Sequence, residues 1–251
     1  MNIKHEGGHR DARRGGFILN NKYFPLILLL MALNNTALPE EKKPVVFVFS
    51  GHITDETEGG ALSCTGKMEY EYNDKVTEKF KGMEGGVVFK TFPSGLKIPL
   101  EKRPGLAKKG GADLVMEIHH DSVIREDIEK VGSMDWASSR RYGGFSIHIP
   151  GGKPGKRSLA LAKSIRACLL KLGLGTNHYH AWRQRKVEIE DGIYVNNKLL
   201  LLKHAAVPTV LVEMGVIVIP DEEKLVSSEE YRTAAAGCIR SAAKEFLAGT
   251  K

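Results

Sequence analysis

The amino-acid sequence predicts an α/β fold, with a mixed, largely parallel sheet that helices cover on both faces. Two observations lead to this prediction. Short apolar runs bounded by turn-forming residues alternate along the chain with longer stretches of helical character. The 251 residues are 42% hydrophobic and 27% charged, which is ordinary for a globular protein and sufficient for a single domain with a substantial core. Strands that alternate with helices at this spacing are typical of layered α/β proteins.

Five apolar runs predict the strands. The first run, VVFVF, is β-branched and aromatic, is too short for a helix, and is bounded by Ser50 and Gly51. The runs GGVVFK, ADLVMEI, GGFSIHI and VPTVLV have the same character. In chain order, the predicted strands occupy residues 45–49, 85–90, 112–118, 143–149 and 207–212.

Five stretches of helical character lie between or after these strands. The most regular is an amphipathic stretch in which Leu159, Ala162, Ile165 and Leu169 form one apolar stripe. In chain order, the predicted helices occupy residues 69–82, 100–109, 156–172, 197–204 and 228–247.

Residues 121–142 interrupt the alternation with a charged, irregular insertion that has room for a short helix. Its polarity predicts a position at the surface. Two interpretations stay open, namely a loop at the rim of a binding site and a solvated connection.

The first 43 residues are predicted to be a signal or leader and a linker, and residues 44–251 the folded domain. A basic stretch precedes the apolar run FPLILLLMAL at 24–33, which is much shorter than the ~20 residues of a membrane-spanning helix. This pattern favours a secretory signal, and both its removal and its retention as an uncleaved anchor stay open. We therefore expect an exported protein.

Side chains that apolar packing does not require follow three of the predicted strands. His52 follows the first strand, His119 and His120 follow the third, and Glu213 follows the fifth. Because ligands collect beyond the carboxyl ends of parallel strands, we expect these side chains to converge. Two imidazoles and a carboxylate are typical of a hydrolytic zinc site. Glu69, at the front of the first predicted helix, is the candidate for the third ligand, since Glu213 is better suited to acid/base chemistry.

Each of these residues also has an ordinary structural interpretation. An isolated histidine is more often a hydrogen-bonded core or surface residue, and a glutamate on a helix is usually solvated. Successive strand residues point to opposite faces, so only one of His119 and His120 faces the crevice unless the strand has already ended. His178 and His180 form a second histidine pair, which we interpret as part of a rim beside Trp182.

The order and the local context of these residues resemble the zinc-dependent N-acetylmuramoyl-L-alanine amidases, which are bacterial cell-wall enzymes. The resemblance covers residues 44–249. It rests on SGH at 50–52, GKMEYEYN at 66–73, LEKRPGLAKKGGADLVMEIHHDS at 100–122, and VPTVLVEMG at 207–215 followed by PDEEKL.

The resemblance implies that His52, Glu69 and His119 bind Zn²⁺ and that Glu213 is the catalytic acid/base. It implies hydrolysis of the amide bond between N-acetylmuramic acid and L-alanine in peptidoglycan by one catalytic domain, residues 44–251. The expected location is the periplasm or the cell wall. The expected partners are peptidoglycan and a protein activator, with membrane contact only through an uncleaved leader and with no nucleic acid. Residues 1–38 carry +3 of the net charge of +7, and the remaining charge of +4 suits an acidic polymer, or equally a solvated surface without a partner.

Several residues depart from the usual pattern of the family. They are Phe49, Ile53, Thr54, Lys108, Glu117, Val216 and Ile219. The departures indicate a divergent branch and keep two alternatives open. One is a non-catalytic relative that binds peptidoglycan or regulates a partner, and the other is a different exported zinc peptidase.

The remaining candidates are cysteines and arginines. The spacing of Cys64, Cys168 and Cys238 does not match a zinc knuckle or a redox motif, and an odd number leaves at least one without an internal disulfide partner. Cys168 and Cys238 occupy apolar helical positions and are interpreted as small buried hydrophobes, whereas Cys64 is a candidate for exposure. Arg183 and Arg185 are interpreted either as ligands of substrate carboxylates or as solvated surface residues.

Overall fold

One mixed sheet of eight strands organises the computed structural model, which describes residues 42–55, 57–134, 139, 141–183 and 187–249. The strands are β1 (Val45–Ser50), β2 (Gly82–Glu84), β3 (Val87–Phe92), β4 (Leu114–Asp121), β5 (Ser146–Ile149), β6 (Val187–Glu190), β7 (Ile193–Val195) and β8 (Thr209–Val216). Their order across the sheet is β2-β3-β1-β4-β8-β5-β7-β6. The central block β3-β1-β4-β8 is parallel, β5 joins β8 antiparallel, and the two edge strands are antiparallel to their neighbours. The predicted fold class is confirmed.

Eight α-helices lie within the described residues. They are α1 (Glu69–Thr77), α2 (Arg103–Lys109), α3 (Arg125–Gly132), α4 (Gly152–Leu169), α5 (Tyr179–Trp182), α6 (Leu200–Lys203), α7 (Pro220–Val226) and α8 (Glu229–Ala248). Short 3₁₀ segments extend α1 and α4 and precede α2. In the described part of the chain, no helix combines the length and the apolar character that crossing a membrane requires.

Strand β1 is buried on both faces, and its residues 45–49 are all apolar. Val46 and Val48 pack into the largest core cluster, together with residues of α1, α4 and α8. Phe47 and Phe49 point to the other face and pack with residues of α2 and α6. This two-sided burial explains why the strand is a continuous apolar run rather than an alternating one.

The elements that the sequence did not reveal lie mostly at the edges. All residues of β2 are exposed, so no apolar run marks that strand. The helix predicted over 69–82 is shorter in the structure and ends before β2 begins. Strand β3 begins two residues late because Gly85 and Gly86 adopt φ values of 57° and 79° in the turn. The β6–β7 hairpin turns at Asp191-Gly192, a pair that favours such turns and could have indicated it.

A disulfide between Cys168 of α4 and Cys238 of α8 joins the two longest helices, with the Cα atoms 5.9 Å apart. Cys238 lies in the largest core cluster and Cys168 packs against it, as their apolar helical positions suggested, and the disulfide adds a covalent link between them. The apolar face of each helix could be recognised in the sequence. Which face of α4 packs against which face of α8 depends on the tertiary structure. Cys64 is exposed and is not in a disulfide, as its sequence position suggested.

Candidate metal centre

The carboxylate of Glu69 lies between two imidazole rings. Its Oε2 is 3.0 Å from His52 Nε2, and its Oε1 is 2.9 Å from His119 Nδ1. One ligand atom from each of the three side chains lies within 4.8 Å of the other two. The structure thus brings together the three residues that the sequence proposes as metal ligands.

Parallel pairing of β1 with β4 explains why these residues meet. Ser50 at the end of β1 is the register partner of Ile118, so the loop that carries His52 emerges beside His119. Helix α1 packs across both strands, and Glu69 is its first residue. The helix therefore directs this carboxylate back over the ends of the strands.

Glu69 is only 5% exposed, and neutral donors hold its carboxylate in addition to the two imidazoles. Ala61 N donates to Oε2, while His120 N and Asn73 Nδ2 donate to Oε1, each over 3.2 Å. Burial alone raises the pKa of this carboxyl, but hydrogen bonds with the two imidazoles outweigh burial and lower it. Glu69 is therefore an oriented anion.

The backbone of His52 adopts a left-handed conformation with φ of 63°, which is uncommon for a residue that has a side chain. Its Nδ1 lies 3.1 Å from the carbonyl oxygen of Glu58. A carbonyl only accepts hydrogen bonds, so this contact requires a proton on Nδ1 and leaves the Nε2 lone pair of neutral His52 facing Glu69. Two electron-pair donors 3.0 Å apart require a proton or a metal ion between them.

Gly60 leaves room for two of these side chains. A Cβ at this position would lie 2.5 Å from Glu69 Oε2 and 2.7 Å from His52 Cδ2, at a φ of +85°. We expect Gly60→Ala to displace both side chains and to weaken Zn²⁺ binding by about tenfold or more, equivalent to at least ~1.4 kcal/mol. Calorimetric titration of the metal-free protein measures this loss.

The matched control for that change is Gly66→Ala. Gly66 also has a positive φ, of +78°, but a Cβ there meets no described atom within 4 Å. The control therefore bears a similar backbone cost without the steric clash, and it should bind Zn²⁺ as the wild type does. Equal losses in the two variants would contradict the steric explanation.

His119 and Glu213 lie side by side on the sheet, since they are register partners on the parallel strands β4 and β8. Their side chains leave the sheet on the same face, and both line the same pocket. Burial disfavours the charged form of His119, but the adjacent carboxylates of Glu117 and Glu69, together with the charge of Glu213, raise the pKa of this imidazole. The structure thus places the proposed acid/base group beside the proposed ligands.

Two of the strands continue beyond the positions at which the sequence analysis ended them. β4 includes His120 and Asp121, and β8 includes Glu213 and extends to Val216. The expectation that the reactive side chains follow the strand ends is therefore wrong for these two strands, and it holds for His52. Backbone hydrogen bonding between neighbouring strands does not require apolar side chains. A prediction based on apolar character alone therefore placed the ends of these two strands too early in the chain.

His120, the neighbour of His119 on β4, is 1% exposed, and its Nδ1 lies 2.8 Å from Asn73 Oδ1. Burial lowers the pKa of this imidazole to about 3, which keeps it neutral. Of the two adjacent histidines, only His119 has a ring nitrogen against Glu69.

A pocket of about 270 Å³, open to solvent, contains the cluster. Its lining combines histidines and carboxylates with leucines that belong to α6 or precede α6 and α2: Leu100, Leu199, Leu200 and Leu201. A substrate group that reaches the cluster thus meets both polar and apolar side chains.

Sequence reasoning missed the buried pair of Arg103 and Glu117, although Glu117 was noted as unusual. These residues are 2% and 3% exposed, and Arg103 Nη1 donates to Glu117 Oε1. Arg103 also donates to the carbonyl oxygens of Ser50 and His52, over 2.8 and 2.7 Å. A charged residue in the helix that precedes β4 was the available signal, but the sequence could not show that it is buried.

The second histidine pair does not form the expected rim. His180 is 3% exposed and forms an ion pair with Asp121, so its rim assignment is wrong. His178 is at the surface, with Nδ1 2.8 Å from Glu188 Oε1 and Nε2 3.0 Å from Asp191 Oδ1. Because Glu188 and Asp191 contact different nitrogens of the His178 ring, the three side chains do not direct their ligand atoms at one metal ion. The arrangement is better suited to pairing of the imidazole with the two carboxylates.

The insertion at 121–142 is only partly described. It begins inside β4 and contains α3, and Val123, Val131 and Tyr142 pack into a small apolar cluster. It is therefore more than a solvated connection, and its proposed place at a substrate rim stays a prediction. Arg183 Nε lies 3.0 Å from Asp127 Oδ2 within the same region, whereas Arg185 lies outside the described residues.

Glu222 is a second buried carboxyl group that the sequence did not reveal. It is 2% exposed, and its two oxygens accept hydrogen bonds from Gly144 N and Val216 N, over 2.7 and 2.8 Å. Burial raises the pKa of this carboxyl to about 7, against the opposing effect of the two backbone donors. Glu222 is not among the residues that line the metal pocket.

This raised pKa predicts a pH-dependent stability. As the pH rises, Glu222 keeps its proton to a higher pH in the folded protein than in the unfolded chain. The protonated carboxyl therefore stabilises the folded protein fully below about pH 4.5, and this contribution is lost as the pH rises through 7. Glu222→Gln cannot ionise. We expect the free energy of unfolding of the wild type, minus that of the variant, to fall by on the order of 3 kcal/mol between pH 4.5 and 8, since one pKa unit corresponds to about 1.4 kcal/mol. Urea unfolding across this range tests the slope, and a constant difference would refute it.

The donor set fits a zinc ion. Zinc prefers imidazole nitrogen and carboxylate oxygen, and catalytic sites use three protein ligands with one open position. His52, Glu69 and His119 could supply these atoms, and all three line the same pocket. Fold and site together describe an α/β protein in which two imidazoles and a carboxylate could hold a metal ion.

The family follows from the sequence as a whole. The model of the N-acetylmuramoyl-L-alanine amidase family matches residues 46–245, and the chain belongs to this family. It is an enzyme of the N-acetylmuramoyl-L-alanine amidase class, and the resemblance noted in the sequence is confirmed. No curated protein has a sequence that matches this chain.

Solved structures of amidases share the fold. The N-acetylmuramoyl-L-alanine amidase from Clostridium difficile 630 has a TM-score of 0.64 and 18% identity, over 83% of this chain and 98% of that one. Ami1 from Mycobacterium smegmatis has a TM-score of 0.65 and 20% identity, over 82% and 97%. The CwlD amidase from Clostridioides difficile, solved in complex with the GerS lipoprotein, has a TM-score of 0.57 and 17% identity, over 82% and 98%. At these identities the likeness concerns the fold alone.

Proposed function

We propose that this chain is a zinc-dependent amidase that hydrolyses the bond between N-acetylmuramic acid and L-alanine in peptidoglycan. The observation that carries the proposal is the convergence of His52, Glu69 and His119 beside Glu213 in one pocket. Family membership supports the reaction class. The imidazole nitrogens and the carboxylate oxygen of this cluster support zinc as the bound metal.

The three proposed ligands differ in the charge that they bring to the ion. Glu69 supplies negative charge, and the two imidazoles supply neutral nitrogen donors. A zinc ion bound there makes water more acidic and polarises a carbonyl group. The dense hydrogen bonding of Glu69 keeps the ligand set oriented before metal or substrate arrives.

Glu213 is the proposed acid/base group. Its position beside His119 on the neighbouring strand places a carboxylate within the pocket without making it one of the three clustered ligands. In the proposed reaction, the carboxylate takes a proton from water as the water oxygen adds to the lactyl carbonyl carbon. It then gives that proton to the alanine nitrogen as the carbon–nitrogen bond breaks. The products are a free muramic carboxylate and a free peptide amine.

The wider setting of the enzyme is also a proposal. Residues 44–251 would form the catalytic domain, and the apolar run at 24–33 supports export to the periplasm or the cell wall. A protein activator is a further proposal, supported by the fact that one fold relative was solved with a lipoprotein. The net positive charge of the chain suits an anionic wall polymer.

Dye release from labelled cell walls, followed by mass analysis of the products, tests the reaction. The proposal expects free glycan strands and intact stem peptides, with activity lost on chelation and restored by Zn²⁺. Shortened stem peptides would indicate a peptidase instead. Binding to walls without release would indicate a non-catalytic relative.

A further inference from the structure

The ring of His119 has two nitrogens in different surroundings. Nδ1 faces the proposed centre, 2.9 Å from Glu69 Oε1. On the opposite side, Nε2 is buried and makes no hydrogen bond of ordinary geometry with any described residue. The group that faces Nε2 is the carboxylate of Glu117, whose Oε2 is 3.5 Å away.

Binding of a metal at one ring nitrogen determines what the other must do. When Nδ1 is a ligand, the neutral imidazole carries its proton on Nε2, which becomes a hydrogen-bond donor. A buried donor needs an acceptor, and a shift of about half an ångström would bring Glu117 Oε2 to ordinary hydrogen-bond length. The carboxylate therefore lies where the metal-bound form of His119 needs an acceptor.

Arg103 fixes this carboxylate in place. It donates to Glu117 Oε1, and the same guanidinium binds the carbonyl oxygens of Ser50 and His52. One buried arginine thus connects the loop that carries one proposed ligand to the carboxylate that faces another. Both charges are almost completely buried, so their geometry is constrained by packing as well as by charge.

We propose that Glu117, held by Arg103, is a positioning residue that orients His119 for metal binding by accepting the Nε2 proton. This role rests on the proposed zinc site. Outer carboxylates that accept from a ligand histidine commonly strengthen metal binding by about 10- to 100-fold.

Glutamine cannot replace Glu117 in this arrangement. Both neighbours of the carboxylate, Arg103 and the Nε2–H of His119, are donors, and only a carboxylate accepts on both oxygens. The amide of Glu117→Gln must point its own donor at one of them. Aspartate keeps the charge that Arg103 needs, but it is one methylene shorter and lies farther from His119.

The test measures Zn²⁺ affinity of metal-free wild type and variants by competition with a chromogenic chelator, with thermal unfolding recorded alongside. Glu117→Gln and Glu117→Asp should bind Zn²⁺ about 10- to 100-fold more weakly than the wild type. Glu222→Gln is the matched control, because it too removes a buried carboxylate held by two donors, away from the centre. It should keep the wild-type Zn²⁺ affinity.

A second readout is the protonation state of His119. In ¹⁵N histidine spectra of the zinc-loaded wild type, we expect this residue to carry its proton on Nε2, and a proton on Nδ1 would overturn the proposal. Should the glutamine variant not fold, the aspartate variant decides. Folded Glu117 variants that bind Zn²⁺ as tightly as the wild type would show a purely structural role. A wild type that binds no Zn²⁺ would instead contradict the proposed function itself.

Discussion

Glu213→Gln should lower kcat for peptidoglycan amide hydrolysis by roughly 100- to 10,000-fold, the usual contribution of a general acid/base. Glutamine has nearly the same shape, but it cannot take a proton from water or return one to the alanine nitrogen. Because Glu213 is not one of the three clustered ligands, the variant should still bind one Zn²⁺ per chain. Turnover of labelled cell walls and metal analysis of the same preparation measure the two properties.

The control for this change is Glu230→Gln, on an exposed position of α8. It should leave both turnover and zinc content unchanged. Wild-type turnover in Glu213→Gln would refute its assignment as acid/base. Loss of the metal together with turnover would indicate that Glu213 contributes to holding the ion.

His119→Ala should abolish both Zn²⁺ binding and turnover. The change removes one of the three ligands and leaves Glu69 with a single imidazole partner, His52. Two protein ligands are too few for the usual catalytic zinc site. Metal analysis after dialysis should therefore find no stoichiometric zinc, and dye release should fall to background.

His120→Ala is the informative comparison, because the two histidines are adjacent on β4. Its ring contacts Asn73 rather than the cluster, so the variant should retain Zn²⁺ even where its stability falls. One zinc per chain in His119→Ala, with loss in His120→Ala, would exchange the two assignments.

The class of fold and three candidate ligands could be predicted from the sequence, for identifiable reasons. A central strand buried on both faces must be apolar at every position, so the run at 45–49 marked β1 directly. Histidine and glutamate at the ends of such runs have no packing role, and parallel strands bring their ends together. The resemblance to the amidases added the choice of His119 and Glu69.

Features that depend on partners distant in sequence could not be predicted in the same way. The Cys168–Cys238 disulfide and the hydrogen bond of His120 to Asn73 each depend on which surfaces of two elements face each other. Strand β2 is exposed at the edge and has no apolar pattern to reveal it.

By itself, the sequence determined the alternation of strands and helices and the types of side chain available for chemistry. Tertiary structure alone decided which nitrogen of His119 faces Glu69 and which faces Glu117. It also decided that Arg103, an ordinary helix residue in the sequence, is buried against the loop of His52. The physical reason is that apolar periodicity records burial along one element, whereas ring orientation and charge pairing arise only where separate elements pack together.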